Sequence, residues 1–104
     1  MAKRKPEVRW SPEALEDLGA IWNYYAKVAG PNTAEKIILE IVQVCGALAS
    51  HPFGGRSRDE VRPSLRSLVA GTHVVFYVVQ DGRPTMVRVL DARQDIDSQF
   101  SQTD

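Results

Sequence analysis

A chain of 104 residues that nowhere approaches the roughly 20 consecutive apolar residues of a spanning helix is read as one domain on one core, residues 1–104, with no place in a membrane. Thirteen Lys and Arg balance thirteen Asp and Glu, so the total charge supplies no general attraction to nucleic acid. Cys45 is the only cysteine, which excludes a disulfide framework and a multi-cysteine zinc site and fits a reducing compartment; the cytoplasm is the expected location.

Residues 1–6 are basic and no apolar stretch of a secretory signal follows them; they and residues 101–104 are expected to be flexible ends. A short strand is predicted around 8–10. Ser11, Pro12 and Glu13 then mark a helix start, with a capping hydroxyl, a proline in the first turn and an acid at the positive end. Leu15, Leu18, Ile21, Trp22 and Tyr25 recur at helical spacing, with Glu13, Glu16, Asp17, Asn23 and Lys27 on the other side. Gly30 and Pro31 end this helix, and Asn32 with Glu35 three residues on predicts a capping box that opens a second. Its apolar stripe, Ala34, Ile37, Ile38, Ile41, Val42, Cys45, Leu48 and Ala49, runs to a stop at His51 and Pro52. The short link makes the helices antiparallel neighbours, and their broad apolar face must cover another layer.

That layer lies in the second half, where the period of apolar residues changes from helical to alternating. Residues 65–69, 72–80 and 85–92 are rich in Val, Leu and aromatics, and are separated by Gly71 and by Asp81-Gly82, a tight-hairpin signal. Pro84 fits there only near a strand start. On the central strand Val74, Phe76 and Val78 alternate with His73, Val75, Tyr77 and Val79, so both faces are largely apolar and the helical hairpin can fill only one. The other face is left either to the N-terminal strand, the long loop and the C-terminus or to a partner. The predicted architecture is α+β: an N-terminal strand, then an antiparallel two-helix hairpin packed on a small twisted antiparallel sheet.

Neutral total charge conceals a local bias. From Phe53 to Gln94 seven arginines stand against four acids, Asp59, Glu60, Asp81 and Asp91, whereas the last ten residues hold Asp95, Asp97 and Asp104 and no base. Arginine suits phosphate and carboxylate by its planar fork, although ordinary surface bridges to nearby acids account for several of these as well. A ribonuclease needs a base, an acid and cations for the developing charge. No lysine follows Lys36, and His73 with Tyr77, on one strand face either side of Val75, is the pair open to proton transfer, with half-buried packing as the competing role. His51 at a helix end and Cys45 on an apolar stripe have sufficient structural roles. Metal-ligand spacing is missing, and Gly54-Gly55 follows a helix where a phosphate-binding loop would follow a strand, so neither metal nor cofactor is expected.

Five blocks in order carry a family resemblance over roughly residues 8–100: Val8-Arg9-Trp10-Ser11-Pro12-Glu13-Ala14-Leu15-Glu16-Asp17-Leu18; Ile21-Trp22-Asn23-Tyr24-Tyr25; His51-Pro52-Phe53-Gly54-Gly55-Arg56; Arg62 to Arg66 leading into Thr72-His73-Val74-Val75-Phe76-Tyr77; and Val87-Arg88-Val89-Leu90-Asp91-Ala92-Arg93-Gln94-Asp95-Ile96. The chain thereby resembles the RelE/ParE superfamily of toxins from type II toxin-antitoxin modules, and its ParE (plasmid-stabilisation) branch best. The resemblance implies the fold already read from the change of period. It also implies a growth-inhibiting toxin held inactive by a ParD-like antitoxin, a ribbon-helix-helix DNA-binding dimer with a disordered tail, so that DNA is met only through the antitoxin. ParE-like members poison DNA gyrase, whereas RelE-like members cleave messenger RNA on the ribosome. The missing lysines of the sheet half and the lack of a tyrosine after Tyr77 favour the first, a toxin that binds and catalyses nothing. Asp91 stands where the family often has histidine, which leaves the role of that position open.

On this reading Arg66, Arg88, Arg93 and the C-terminal segment to Phe100 form the target-binding surface. The antitoxin is assigned to Ile21, Trp22 and Tyr25 and to the sheet face of Val75, Tyr77 and Val79, where an apolar groove beside arginines suits an amphipathic acidic tail. If the chain is RelE-like, His73, Tyr77, Arg66 and Arg88 share the acid-base and electrostatic roles. A third reading is a non-toxic relative that only binds its partner.

Overall fold

The computed structural model describes residues 7–93 and 99–100; the expected flexible ends at 1–6 and 101–104, and the closing motif from Gln94 to Ile96, lie outside the described residues. The elements are β1 (Arg9–Trp10), α1 (Pro12–Ala29), α2 (Pro31–Gly46) continued by a single 3₁₀ turn (Ala47–Ala49), β2 (Arg56–Ser57), β3 (Arg66–Ala70), β4 (His73–Gln80) and β5 (Arg83–Asp91). Among the described residues no helix is long and apolar enough to cross a membrane.

Local chemistry sets the boundaries. Ser11 Oγ accepts the Ala14 N–H at 3.0 Å, which satisfies one orphan donor of the first turn, and Pro12 sits where a missing N–H costs nothing. Gly30, at φ 96°, ends α1 by donating its N–H to Ala26 O and at once precedes the first residue of α2. The predicted capping box does not form: α2 begins at Pro31, one residue before Asn32, and has no side-chain cap. Proline at the first helical position suffices to start it. Between β4 and β5, Asp81 and Gly82 both have positive φ, 53° and 76°, the two-residue turn whose twist suits a hairpin.

The sheet order is β1-β5-β4-β3-β2. Three of its four pairings are antiparallel, as expected, but β1 runs parallel to β5, with Arg9 opposite Thr85 and Trp10 opposite Met86, so the sheet is mixed. A first strand followed by a helical hairpin returns to the sheet beside the last strand, and the whole intervening chain serves as the crossover that parallel neighbours need. β2, which no local sequence pattern announces, pairs Arg56 with Ser67 and Ser57 with Arg66 of β3.

Two cores result. On the helix side Ala14, Ile41, Cys45 and Leu48 pack on Val75, Tyr77, Met86 and Val89. Met86 and Val89 can share that face although they are three apart because the pairing slips between Phe76 and Tyr77: Phe76 meets Arg88, Tyr77 meets Met86, and Val87 is the extra residue of a bulge. On the far side Val74, Phe76 and Leu90 are covered by Leu65 and Phe100, with Val61 at the margin. The second apolar face is thus filled by the chain's own loop and C-terminal segment. On α1 the inward residue of the first turn is Ala14, fully buried, whereas Leu15 is 54% exposed.

Candidate functional site

Along α1 the inward stripe is Ala14, Leu18, Ile21 and Tyr25, and Asp17 lies within it although the sequence places this acid with the solvent-facing residues. Its carboxylate accepts from Arg88 Nε at 2.8 Å, from Arg88 Nη2 at 3.1 Å and from the Val89 backbone N–H at 2.8 Å. The Val89 N–H belongs to the outer edge of β5, beyond the two residues that β1 covers, and Asp17 takes the place of a strand there. Ser11 does the same one step earlier, its Oγ donating to Val87 O at 3.1 Å. Hydrogen bonding to Asp17 raises the Arg88 pKa further, fixing its charge.

Above this pair a cleft of about 480 Å³ opens between α1 and the end of β5. Ile21, Tyr24 and Tyr25 form one wall, Arg88 to Asp91 the other, and His73 and Arg93 close the end. The rings of Tyr24 and Tyr25 meet edge-on at 5.0 Å, and Tyr25 meets His73 edge-on at 6.2 Å. His73 is almost fully buried, and desolvation depresses its pKa against the opposing pull of Asp91 and Glu40, with Arg93 adding to the depression. Asp91 binds Arg93 through its backbone N–H at 2.8 Å and its guanidinium at 2.9 Å to each carboxylate oxygen. That fork holds the Asp91 carboxyl well below the usual carboxylate range. The position that the family resemblance left open thus has a local task, to aim an arginine whose side chain is 86% exposed.

The structure gathers some of the expected site residues and scatters others. Ile21, Tyr25, Arg88 and Arg93 line one cleft, with His73 at its end; Trp22 lies on the exposed side of α1 and Val79 at the margin of the helix-side core. Arg66 lies elsewhere, at the start of β3, with its guanidinium on the loop before β2. Val75 and Tyr77 are fully buried beneath the helices, which corrects their assignment to an antitoxin-binding sheet face: α2 already occupies that face. Phe100 is also buried, edge-on to Phe76 at 5.0 Å with the Arg62 guanidinium over its ring at 5.1 Å, so it fills the far core instead of presenting a contact surface. His73 and Tyr77 share a face but not a site. Four strand residues separate them by roughly 13 Å; His73 Nδ1 is 3.4 Å from Thr72 Oγ1, while the Tyr77 hydroxyl accepts the Gly55 N–H at 2.8 Å. The acid-base pair of the RelE-like reading is therefore not assembled. Asp17 and Tyr24 are the cleft residues that sequence reasoning missed; counting the helix face from Ala14 instead of Leu15 brings Asp17 inward.

Taken together, a helical hairpin on this mixed sheet, with an aromatic cleft rimmed by two carboxylate-held arginines, can be set beside known proteins. The family profile described as ParE toxin of type II toxin-antitoxin system, parDE, matches residues 8–96. The chain belongs to the ParE toxin family. It is 39% identical over 88 residues to Toxin ParE1 of Mycobacterium tuberculosis, covering 84% of this chain and 90% of that one. It is 34% identical over 82 residues to Toxin ParE1 of Caulobacter vibrioides, covering 79% and 84%. Its fold is that of a solved chain from the chromosomal ParDE TA system of P. aeruginosa, with a TM-score of 0.74 and 24% identity over 84% of this chain and 96% of that one. As a ParE toxin it is one half of a pair whose other half is an antitoxin. The matched span takes in every cleft residue, from Asp17 on α1 to Arg93 after β5.

Proposed function

We propose that this ParE toxin arrests growth by binding DNA gyrase, that it makes and breaks no bonds itself, and that it contacts the target through Arg88 and Arg93 on the cleft rim together with Arg66. The observation that carries a binding mode of action is the separation of His73 from Tyr77, which leaves the arginines without a proton-transfer pair to assist. A cytoplasmic ParD-like antitoxin, a ribbon-helix-helix dimer with a disordered tail, neutralises it. Ile21, Tyr25 and the neighbouring Trp22 receive that tail, and since Ile21 and Tyr25 line the same cleft as Arg88 and Arg93, a seated tail masks the part of the target contact that those two arginines make. Tail residues of mixed acidic and apolar character suit this cleft, whose wall is aromatic and whose outermost group is the Arg93 guanidinium. DNA is met through the antitoxin, and the module so formed serves plasmid stabilisation.

Pulse incorporation of labelled thymidine and leucine, minutes after induction without antitoxin, tests the target. Thymidine incorporation falls first if gyrase is poisoned, with relaxed and cleaved plasmid accumulating in a supercoiling assay with purified gyrase. Loss of leucine incorporation first would place the target in translation and overturn the proposal. Harmless expression at full yield would reduce the chain to a partner-binding relative. For the antitoxin site, Ile21→Asp is expected to split the toxin-antitoxin complex while leaving the far core intact.

A further inference from the structure

The sequence from His51 to Arg56 is not used by the cleft, yet it is held more firmly than a connecting loop requires. Arg66 Nη1 donates to Phe53 O at 3.1 Å and to Gly55 O at 2.8 Å, clamping the carbonyls on either side of Gly54. Gly54 N–H donates to His51 O at 2.9 Å, and Gly55 N–H to the buried Tyr77 hydroxyl at 2.8 Å. Gly55 itself is required by close approach: a Cβ there would lie 2.5 Å from Tyr77 Oη and 2.7 Å from Ser67 O. The product of this scaffolding is an outward phenylalanine. Phe53 is 63% exposed, the most exposed of the large aromatics, and the Arg66 guanidinium lies over its ring at 5.0 Å from the centroid.

Nothing in the core needs that ring, and a loop could be closed with a polar residue there. Both N–H groups of Arg66 Nη1 are spent on the two carbonyls, which leaves the Nε and Nη2 edge without a hydrogen-bond partner among the described residues; Asp59, the acid that feels its charge, accepts instead from Ser57 Oγ and the Ser64 N–H. That edge is the side of a guanidinium that takes a carboxylate through two parallel hydrogen bonds. A ring already fixed beside a fork for a carboxylate is a preorganised contact: the ordering of both groups is met by the fold before any partner arrives. Aromatic and arginine side chains of this kind dominate protein interfaces.

We propose that Phe53 and Arg66 form an anchor on the target-binding surface of the toxin, its occupant being an apolar pocket of the target protein rimmed by an Asp or Glu carboxylate. The inference rests on the reading of the chain as a gyrase-binding toxin, and adds to it a contact at the β2–β3 edge of the sheet. The cleft lies at the other side, between α1 and β5, so a seated antitoxin tail leaves the anchor uncovered.

The test compares the full-length toxin with Phe53→Ala and Arg66→Lys in titrations against purified gyrase, in growth arrest at equal expression, in capture by the antitoxin and in thermal melts. Phe53→Ala is expected to bind gyrase at least roughly tenfold more weakly and to lose growth arrest, with melting and antitoxin capture unchanged. Arg66→Lys, which keeps the charge and removes the fork, is expected to weaken the same binding. If wild-type and Phe53→Ala bind gyrase equally well, the anchor is overturned while the gyrase reading stands. If wild-type toxin arrests growth without binding gyrase and Phe53→Ala does not arrest it, the gyrase reading fails and the anchor stands for another protein. A fluorescein-labelled single-stranded DNA bound by wild type and not by Phe53→Ala, at equal gyrase affinity, would make the ring a base-stacking platform and overturn the proposal.

Discussion

Arg88 and Asp17 meet as a fork on a carboxylate across 71 residues of sequence, with Nε at 2.8 Å and Nη2 at 3.1 Å, and the same carboxylate takes the Val89 N–H at the edge of β5. Both side chains are about four-fifths buried. Removing the acid strands a mostly buried guanidinium and a strand-edge donor together. Asp17→Ala is therefore expected to cost about 2 kcal/mol, the scale of a charge-assisted hydrogen-bonded pair in a partly buried setting, measured by urea unfolding. Asp17→Asn keeps an oxygen for Val89 and is expected to cost less.

This pair also marks where the sequence is legible and where it is not. The two helices, the three long strands and the Asp81-Gly82 turn follow from patterns within a few residues, and each is where the apolar spacing puts it. Asp17 is not, because an acid in a helix is read as solvent-facing until a partner is known, and Arg88 lies on a strand whose distance cannot be inferred from spacing. The phase of α1 is misread for the same reason: Leu15 outranks Ala14 in hydrophobicity, yet close packing of α1 on β5 admits only the small side chain. The parallel placement of β1 and the two-residue β2 depend on long-range pairing and carry no local signal. Of the candidate site, Arg88, Arg93, Ile21 and Tyr25 are legible as separate residues and the structure joins them; Val75 and Tyr77 read as surface because alternation tells that a strand has two faces but not that both are covered, and Phe100, beyond the last strand, has no local pattern that shows the core it fills.

The Gly55 position gives a second prediction. A methyl group there collides with Tyr77 Oη and with a backbone oxygen that cannot yield, so Gly55→Ala is expected to destabilise by about 2 kcal/mol or more. Tyr77→Phe leaves the Gly55 N–H without its acceptor and is expected to cost about 1–2 kcal/mol. Chemical denaturation of both variants checks the order, and the phenylalanine variant should also show faster amide exchange at Gly55.

His73 sets a pH dependence. Burial lowers its pKa in the folded state below the model-peptide value of 6.5, so between that value and its folded pKa the unfolded chain binds the proton and the folded chain does not. Stability contributed by the neutral, buried ring is fully present above about 6.5 and declines as the pH falls below it. Melting temperatures recorded from pH 7.5 to 5.5 are expected to drop, and His73→Gln to flatten that part of the curve.

Arg93 and Asp91 give a prediction that separates local charge from global stability. The Asp91 carboxyl is held low first by its side-chain and backbone hydrogen bonds from Arg93, so Arg93→Ala is expected to return its titration toward 3.8, followed by carboxyl-carbon NMR. The exposed guanidinium contributes little to folding, so the melt should barely move. On the proposed function the same variant relieves growth arrest and still captures antitoxin; full toxicity would remove Arg93 from the target contact.

The parallel pairing of β1 with β5 has a consequence for how the protein is made. Arg9 and Trp10 leave the ribosome some seventy-six residues ahead of their partners Thr85 and Met86. Because β5 also lies between β1 and β4, β1 has no neighbour in the sheet until β5 has been made. Asp17, Ser11 and the wall of the cleft formed by Ile21 and Tyr25 wait for the same strand. Synthesis halted before β5 therefore leaves the helical hairpin with neither the cleft nor its rim arginines in place. On the proposed function, the antitoxin finds its site only on chains in which β5 has been made.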